Sequence, residues 1–190
     1  MVFNGNKWYA IGEFNVKKDM KSNNLLILIG IILIITFVAY LGVFEAEFTN
    51  WDDTDYIIKN KIVQNFDVKN IFTSFLMGNY HPLTLLSYAI EYYFFKLNPV
   101  IYHITNLLFH MLNSLLVFWI IYLIGGNKIV SFVVSLLFGI HPLHVESVTW
   151  ISERKDVLYS FFFLSSLILY VYYIKKKEIK YFYYSLFVFI

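Results

Sequence analysis

The chain has 190 residues, 59% of them hydrophobic and only 15% charged, where a soluble domain carries about a quarter charged residues. Together with a mean hydropathy of +0.62 and 21% aromatic residues, this excludes an ordinary soluble domain and identifies a membrane protein. There is no cysteine and the net charge is +2, so disulfides, thiolate metal sites and cysteine nucleophiles are excluded, and nothing points to nucleic acid.

Residues 1–24 are polar, with Lys7, Lys17, Lys18 and Lys21. Residues 25–44 are uncharged and mainly apolar up to Phe44. At 1.5 Å per residue they span about 30 Å, one bilayer core, and read as an uncleaved first transmembrane helix. Residues 45–101 form a polar-aromatic loop with seven acids (Glu45, Glu47, Asp52, Asp53, Asp55, Asp67, Glu91) and four lysines (Lys59, Lys61, Lys69, Lys96). Within it, residues 82–97 are expected to be a helix lying on the membrane surface. Pro82 suits a first helical position, apolar residues recur at three- and four-residue spacing, and Glu91 makes the segment a poor span.

Residues 102–124 are the second span, and Gly125-Gly126-Asn127-Lys128 is a tight turn. Residues 129–140 are apolar but too short to cross. They must continue through residue 148 as the third span, or bend at Pro142. Residues 157–174 are the fourth span, and 181–190 begin a fifth that stops after ten residues. A half-span leaves its last carbonyls unsatisfied in lipid, so the chain is expected to be the front part of a larger protein. The basic tail, the 125–128 turn and the lysine-rich 175–180 turn fall on one side, which the positive-inside rule makes cytoplasmic. The 45–101 and 141–156 loops then face outward. The fold class expected is all-α integral membrane, a polytopic helix bundle of four complete spans and the start of a fifth. Lack of an Asn-x-Ser/Thr sequon fits the inner (plasma) membrane of a bacterium, with the N-terminus cytoplasmic.

Ionisable groups gather in the outer loops. Asp52, Asp53 and Asp55 follow the first span. Paired acids can hold a divalent cation, or one can act as general base while the other tunes it; the alternative is a solvated helix cap. His81 and His141 each precede proline, which pushes their backbones out of the α region at a helix start. His144 and Glu146 join His141 in a six-residue cluster, but not at the spacing of a helical zinc signature. His103, Asn106, His110 and Asn113 fall within about 80° of arc on the second span. Asn106 and Asn113 read as interhelical hydrogen-bond glue, and His103, nearest the outer face, as the better site candidate. Glu153-Arg154-Lys155-Asp156 precedes the fourth span; Arg154 and Lys155 suit phosphate, unless Glu153 and Asp156 merely neutralise them.

The segments "NWDDTDYIIKN", "NYHPLTLLSYAIEYYFFKLNPVIYHITNLLFHMLNSLLVF" and "LLFGIHPLHVESVTWISERKDVLYSFFFL", covering roughly residues 25–175, resemble the N-terminal membrane part of the bacterial relatives of the transmembrane and tetratricopeptide-repeat O-mannosyltransferases. These belong to the GT-C class of polytopic glycosyltransferases. The resemblance implies a GT-C-like fold, a lipid-phosphate-linked sugar donor, and a protein or glycan acceptor on the outer face. Asp52 and Asp53 match the acidic motif of the first outer loop, and His81-Pro82-Leu83 is similar to the histidine-proline motif that follows it. Arg154 and Asp156 fall where related enzymes also hold polar residues. The further spans and 34-residue helical repeats of the family are not in this chain.

The expected function is therefore inverting transfer of a sugar from a polyprenyl phosphate. Asp52 or Asp53 would be the base, and Arg154, Lys155, His81 and His141 the donor-phosphate groups. Asp55, His103, His144, Glu146 and Asp156 would be supporting positions, and Asp52 and Asp53 would hold Mg or Mn if a divalent cation takes part. The alternatives are a transporter fragment using the polar seam, and an inactive membrane anchor or scaffold for repeats.

Overall fold

A computed structural model describes residues 23–189 and the backbone of two short strands, β1 (Val2–Asn4) and β2 (Lys7–Tyr9), which pair antiparallel with Val2 opposite Tyr9. The expected cytoplasmic placement of the tail, with Lys17, Lys18 and Lys21, lies outside the described residues, as does Ile190. Everything else is helical or loop. The helices are α1 (Asn23–Ala39), α2 (Lys61–Gln64), α3 (Val68–Thr73), α4 (Pro82–Phe95), α5 (Pro99–Gly125), α6 (Lys128–Gly139), α7 (Val145–Thr149), α8 (Arg154–Lys176) and α9 (Ile179–Phe189).

Two helical stretches, Pro99–Gly125 and Ile151–Lys176, are long and apolar enough to cross a membrane. A third crossing exists if α6 and Pro142–Thr149, bent by 48°, count as one broken span. The bend falls at the break offered by His141-Pro142. The expected first span is shorter than residues 25–44: α1 has 17 residues, about 25 Å, and a 3₁₀ turn over Leu41–Glu45 follows. Four complete spans are therefore not shown.

The caps explain the boundaries. The Asn98 side chain accepts from the Val100 N–H and Pro99 opens α5, which suits a first turn whose amides have no helical partner. Gly126 ends α5 in the left-handed region, φ 68°, donating to the Tyr122 carbonyl. Asn127 then caps α6 through the Ile129 and Val130 amides, so two adjacent residues stop one helix and start the next.

In the bundle, α5 packs against α6 and α8, α1 against α6 and α5, and α9 against α8. Small residues let α1, α5 and α6 approach closely: Thr36, Ser114, Ser131 and Ser135 are buried, and the Ser135 hydroxyl donates to the Ser114 carbonyl at 2.5 Å. That is how helices associate where lipid offers no hydrophobic drive. The loop between α1 and α5 builds a layer of its own on one end of the bundle. Tyr56, Ile57, Val63, Ile71, Leu85, Tyr88 and Ala89 form a buried core that also takes in Tyr102 of α5 and Ile151. α4 lies in this layer and exposes Ile90, Tyr93, Phe94 and Phe95, an apolar flank consistent with a helix lying on a membrane surface.

Candidate functional site

Two buried joints fasten the loop layer to the bundle, and between them they set the site. The first is Asp53, which is fully buried. Its Oδ1 accepts from the Ser152 amide at 2.9 Å and from the Ser152 hydroxyl, and its Oδ2 accepts from the Thr49 amide at 2.9 Å and the Thr49 hydroxyl at 3.1 Å. A carboxylate with four donors is fixed in place. Beside it, the rings of Trp51 and Trp150 stack with centroids 5.9 Å apart. Asp52 is half-buried and makes no hydrogen bond or ion pair within the described residues. The two acids therefore separate: one ties the first loop to the start of α8, and the other stays free at that junction. Asp55 is exposed.

The second joint is Arg154, 0% exposed. Its Nε donates to Asn106 Oδ1 at 2.8 Å, Nη1 to Glu91 Oε2 at 2.5 Å and Ser87 Oγ at 3.0 Å, and Nη2 to the Tyr102 carbonyl at 2.9 Å. The guanidinium also lies over the Tyr88 ring, 4.5 Å from its centroid. Four of its five N–H donors and one face of this fork are used inside the protein. A buried charge of this kind is tolerated because it is paired and hydrogen-bonded. With no exposed surface and four of its five N–H donors engaged, Arg154 is withdrawn from the phosphate contact expected of it, and the side chain joins α4, α5 and α8 instead. Burial pushes the Glu91 carboxyl up from the usual carboxylate range, against the pull of Arg154.

The next residues of α8 reach outward. Lys155 is half-buried, donates to Glu153 Oε1 at 2.7 Å and lies 5.9 Å from the centre of the Tyr56 ring. Asp156 is exposed and accepts from the Ser147 hydroxyl at 3.0 Å through one oxygen. Lys155 and Asp156 share a groove of about 740 Å³ with Asn79, Tyr80 and His81. Its other walls are Leu158, Tyr159 and Phe162 of α8 and Phe187, Val188 and Phe189 of α9. Its polar lining carries one charge of each sign, Lys155 and Asp156, beside His81, and the rest is largely aromatic and aliphatic. His81 is half-buried; burial holds its imidazole below the ordinary histidine range and Lys155 adds to this, while Asp156 and Glu153 pull the other way.

A second, smaller pocket of about 190 Å³ lies across Asp156 and Tyr159 from the groove, lined also by His110, Asn113, His144, Ser147 and Ser160. His141 lines neither cavity. It is exposed, its Nδ1 accepts from the Leu143 amide at 3.2 Å, and its ring meets that of His144 at 5.8 Å. The three-way meeting expected of the acidic pair, His81 and His141 is thus realised only in part. Asp53 is bonded to Ser152 just before α8 and His81 faces Lys155 and Asp156, whereas Asp52, like His141, lines neither cavity. Glu146 is exposed on α7. His103 is 1% exposed and close to the backbone at Ala46, yet neither ring nitrogen makes a hydrogen bond of good geometry.

The polar seam of α5 is spent on its neighbours. Asn106 donates to the Trp150 carbonyl at 3.2 Å and Asn113 to the Val157 carbonyl at 2.8 Å. These bonds hold the 150–157 turn, which argues for a joint and against a conduction path. Among the described residues no three His, Asp or Glu side chains gather closely enough to hold a metal ion, and both Asp53 oxygens already serve four donors. The Asp52–Asp53 pair is therefore a poor fit to Mg or Mn as a protein-built site.

Sequence reasoning missed Glu91 as the partner of Arg154. Its signal was the one acid in an otherwise apolar 16-residue helix. It also missed Ser147, Ser160 and Tyr80, whose types carry no signal without a fold.

Fold and site together define an all-helical integral membrane protein with a polar, cavity-bearing face at one end of its bundle. Comparison with known proteins points the same way. The chain is 33% identical over 131 residues to the human protein O-mannosyl-transferase TMTC3, covering 63% of this chain and 14% of that protein. It is 32% identical over 143 residues to human TMTC2, covering 70% and 17%, and 29% identical over 174 residues to the *Caenorhabditis elegans* protein O-mannosyl-transferase F38B6.6, covering 82% and 24%. These similarities support a place among the TMTC protein O-mannosyl-transferases. The chain spans less than a quarter of the length of these relatives. No protein-family model and no solved structure matches it.

Proposed function

We propose that this chain forms the donor-binding membrane part of a GT-C-type glycosyltransferase that moves a hexose, mannose by analogy with its relatives, from a polyprenyl phosphate to a protein or glycan acceptor. The observation that carries this reading is the groove. A lipid phosphate needs a polar head site continuous with an apolar channel. The lining of the groove combines His81 and Lys155 with the aromatic side chains of Phe162, Phe187 and Phe189. The loop end of the bundle is then the outer face and the Lys175–Lys180 turn the cytoplasmic one, in a multi-pass plasma-membrane protein.

In the reaction, the acceptor hydroxyl attacks the anomeric carbon and the carbon–oxygen bond to the lipid phosphate breaks on the opposite side, so configuration inverts. The hydroxyl proton passes to Asp52, the acid left without a partner, and the electron pair leaves with the phosphate. Lys155 as a point charge and the His81 N–H as a donor stabilise that leaving group. Asp53 and Arg154 are positioning residues, which set the first loop and α8 so that these groups meet. The mechanism requires no cation at the acidic pair.

The test is transfer from polyprenyl-phosphate mannose by the full-length protein in nanodiscs. Asp52→Asn should reduce kcat by two or more orders of magnitude with donor affinity kept, in the range general bases supply. If Asp52→Asn retains wild-type transfer, the base assignment fails. If the wild type neither binds nor turns over the lipid donor, the function does.

A further inference from the structure

We infer that residues 72–80 form a membrane-inserted wedge, whose partner is the acyl zone of the leaflet at the loop end of the bundle. The inference stands beside the glycosyl-transfer reading and does not depend on it.

The segment presents apolar side chains on a stiff turn. Between Lys69 and Glu91 there is no Asp, Glu, Lys or Arg, although the 45–101 loop is charged on either side of that stretch. Leu76 and Asn79 exchange two backbone hydrogen bonds of 2.9 Å around Met77 and Gly78. The φ angles of those two residues, 50° and 81°, are the positive pair that a type I′ turn requires. Asn, Asp and Gly adopt that conformation readily and Met does not, so the side chain, not the turn, accounts for Met77. The Tyr80 hydroxyl donates to the Phe72 carbonyl at 2.9 Å, and the rings of Tyr80 and Phe75 meet at 5.5 Å. These contacts tie the turn back to the end of α3. Held in this way, Phe75 is 72% exposed and Met77 54%, and Phe72 and Tyr80 are exposed with them. Large apolar side chains grouped on a surface mark a place that a partner covers.

Depth identifies the partner. Asn79 and Tyr80 line the groove together with Phe162 of α8. Phe162 lies about 12 Å along the helix from Arg154, within the stretch Ile151–Lys176 that is long and apolar enough to cross a membrane. With the lysines at the end of α8 in one headgroup layer, a hydrocarbon core of about 30 Å reaches back about twenty residues, to near Lys155. The base of the turn thus stands against a side chain inside the hydrocarbon, and Met77 and Gly78 directly precede that base. Apolar Phe75 and Met77 suit the lipid tails, and amphipathic Tyr80 suits the boundary with the headgroups. Seated there, the turn pins α3, and through it α4, to the membrane.

The test reads depth directly. This chain has no cysteine, so a nitroxide is placed at Phe75→Cys or at Met77→Cys of the full-length protein in phosphatidylcholine nanodiscs, with any cysteine beyond this chain replaced by serine. Oxygen concentrates among lipid tails and a nickel chelate in water. A label at Lys61→Cys, on the charged part of the same loop, is the aqueous reference. The ratio of oxygen to nickel collisions should be about tenfold higher at both turn positions than at the reference, because a polar probe is excluded from hydrocarbon. A nickel chelate that reaches the turn as freely as the reference overturns the proposal. So does a label that neither reagent reaches, since protein then covers the turn. The wild type gives a second reading that needs no variant. In vesicles doped with a phosphatidylcholine that carries a diazirine on one acyl chain, irradiation should attach lipid within residues 72–80. Lipid attached to other segments of the protein but not to the turn overturns the proposal. Neither measurement involves sugar transfer, so the two readings fail separately.

Discussion

Asp52 and Asp53 are adjacent and chemically identical, yet the fold gives them opposite work. Asp53 is an acceptor for four protein donors; Asp52 accepts from none among the described residues. Asp53→Asn would turn an N–H₂ toward donors already there, stranding at least one, and unsatisfied buried groups cost about 1–3 kcal/mol each. It should lower the thermal midpoint measurably, whereas Asp52→Asn should leave unfolding unchanged and act on turnover alone. Thermal unfolding in detergent, run on both variants, separates the two. His81 provides a pH prediction at the same scale. Its folded-state imidazole sits below the ordinary histidine range, so the unfolded chain takes the proton first and stability falls as pH drops through that range. A phosphodiester bound beside the ring reverses the preference. Affinity for polyprenyl-phosphate mannose, whose own charge is constant there, should rise as pH falls below the ordinary histidine range. In His81→Gln it should be flat and about tenfold weaker, as expected for losing a hydrogen bond to a charged group.

At the scale of elements, α1 and α6 meet closely at Gly139. A Cβ built on Gly139 would stand 2.4 Å from Thr36 Oγ1 and 3.1 Å from Ser114 Oγ. Gly139→Ala must therefore push α1 away, and overpacking of this kind costs about 1–3 kcal/mol. Thr36→Ala removes the obstructing hydroxyl, so the double variant should regain most of the loss in a double-mutant cycle of unfolding free energies. Where elements begin and end was legible from local chemistry: Pro82 and Asn98-Pro99 at helix starts, Gly126-Asn127 between two spans, and the break at His141-Pro142 are properties of a few neighbouring residues. The end of α1 was not. Hydropathy continues through Gly42 to Phe44, while the helix stops three residues before that glycine, at Ala39, and tightens into a 3₁₀ turn, where Tyr40 packs edge-on against His110 with ring centroids 5.3 Å apart. Apolar composition does not report that kind of tertiary contact.

For the whole molecule, the question is what keeps the loop layer in register with the bundle. The role of Arg154 was illegible for the same reason that it matters: a basic residue at a span's start reads as an exposed phosphate ligand, and only its pairing with Glu91, 63 residues earlier, shows that it is internal. Stranding one member of such a pair typically costs about 3–5 kcal/mol, whereas replacing both by apolar side chains of similar volume is often nearly neutral. Arg154→Met alone should therefore unfold the layer, seen as rapid proteolysis between residues 45 and 98. Arg154→Met with Glu91→Met should restore protease resistance, since no charge is left unpaired. The double variant still loses the fork that reaches Asn106, Ser87 and the Tyr102 carbonyl at once, and with it the fixed angle between α4, which starts right after His81, and α8, which carries Lys155 and Asp156. Its stability should approach wild type while affinity for polyprenyl-phosphate mannose falls at least tenfold. Recovery of both together would mean that the ion pair is only a fastener and that some other contact sets the groove.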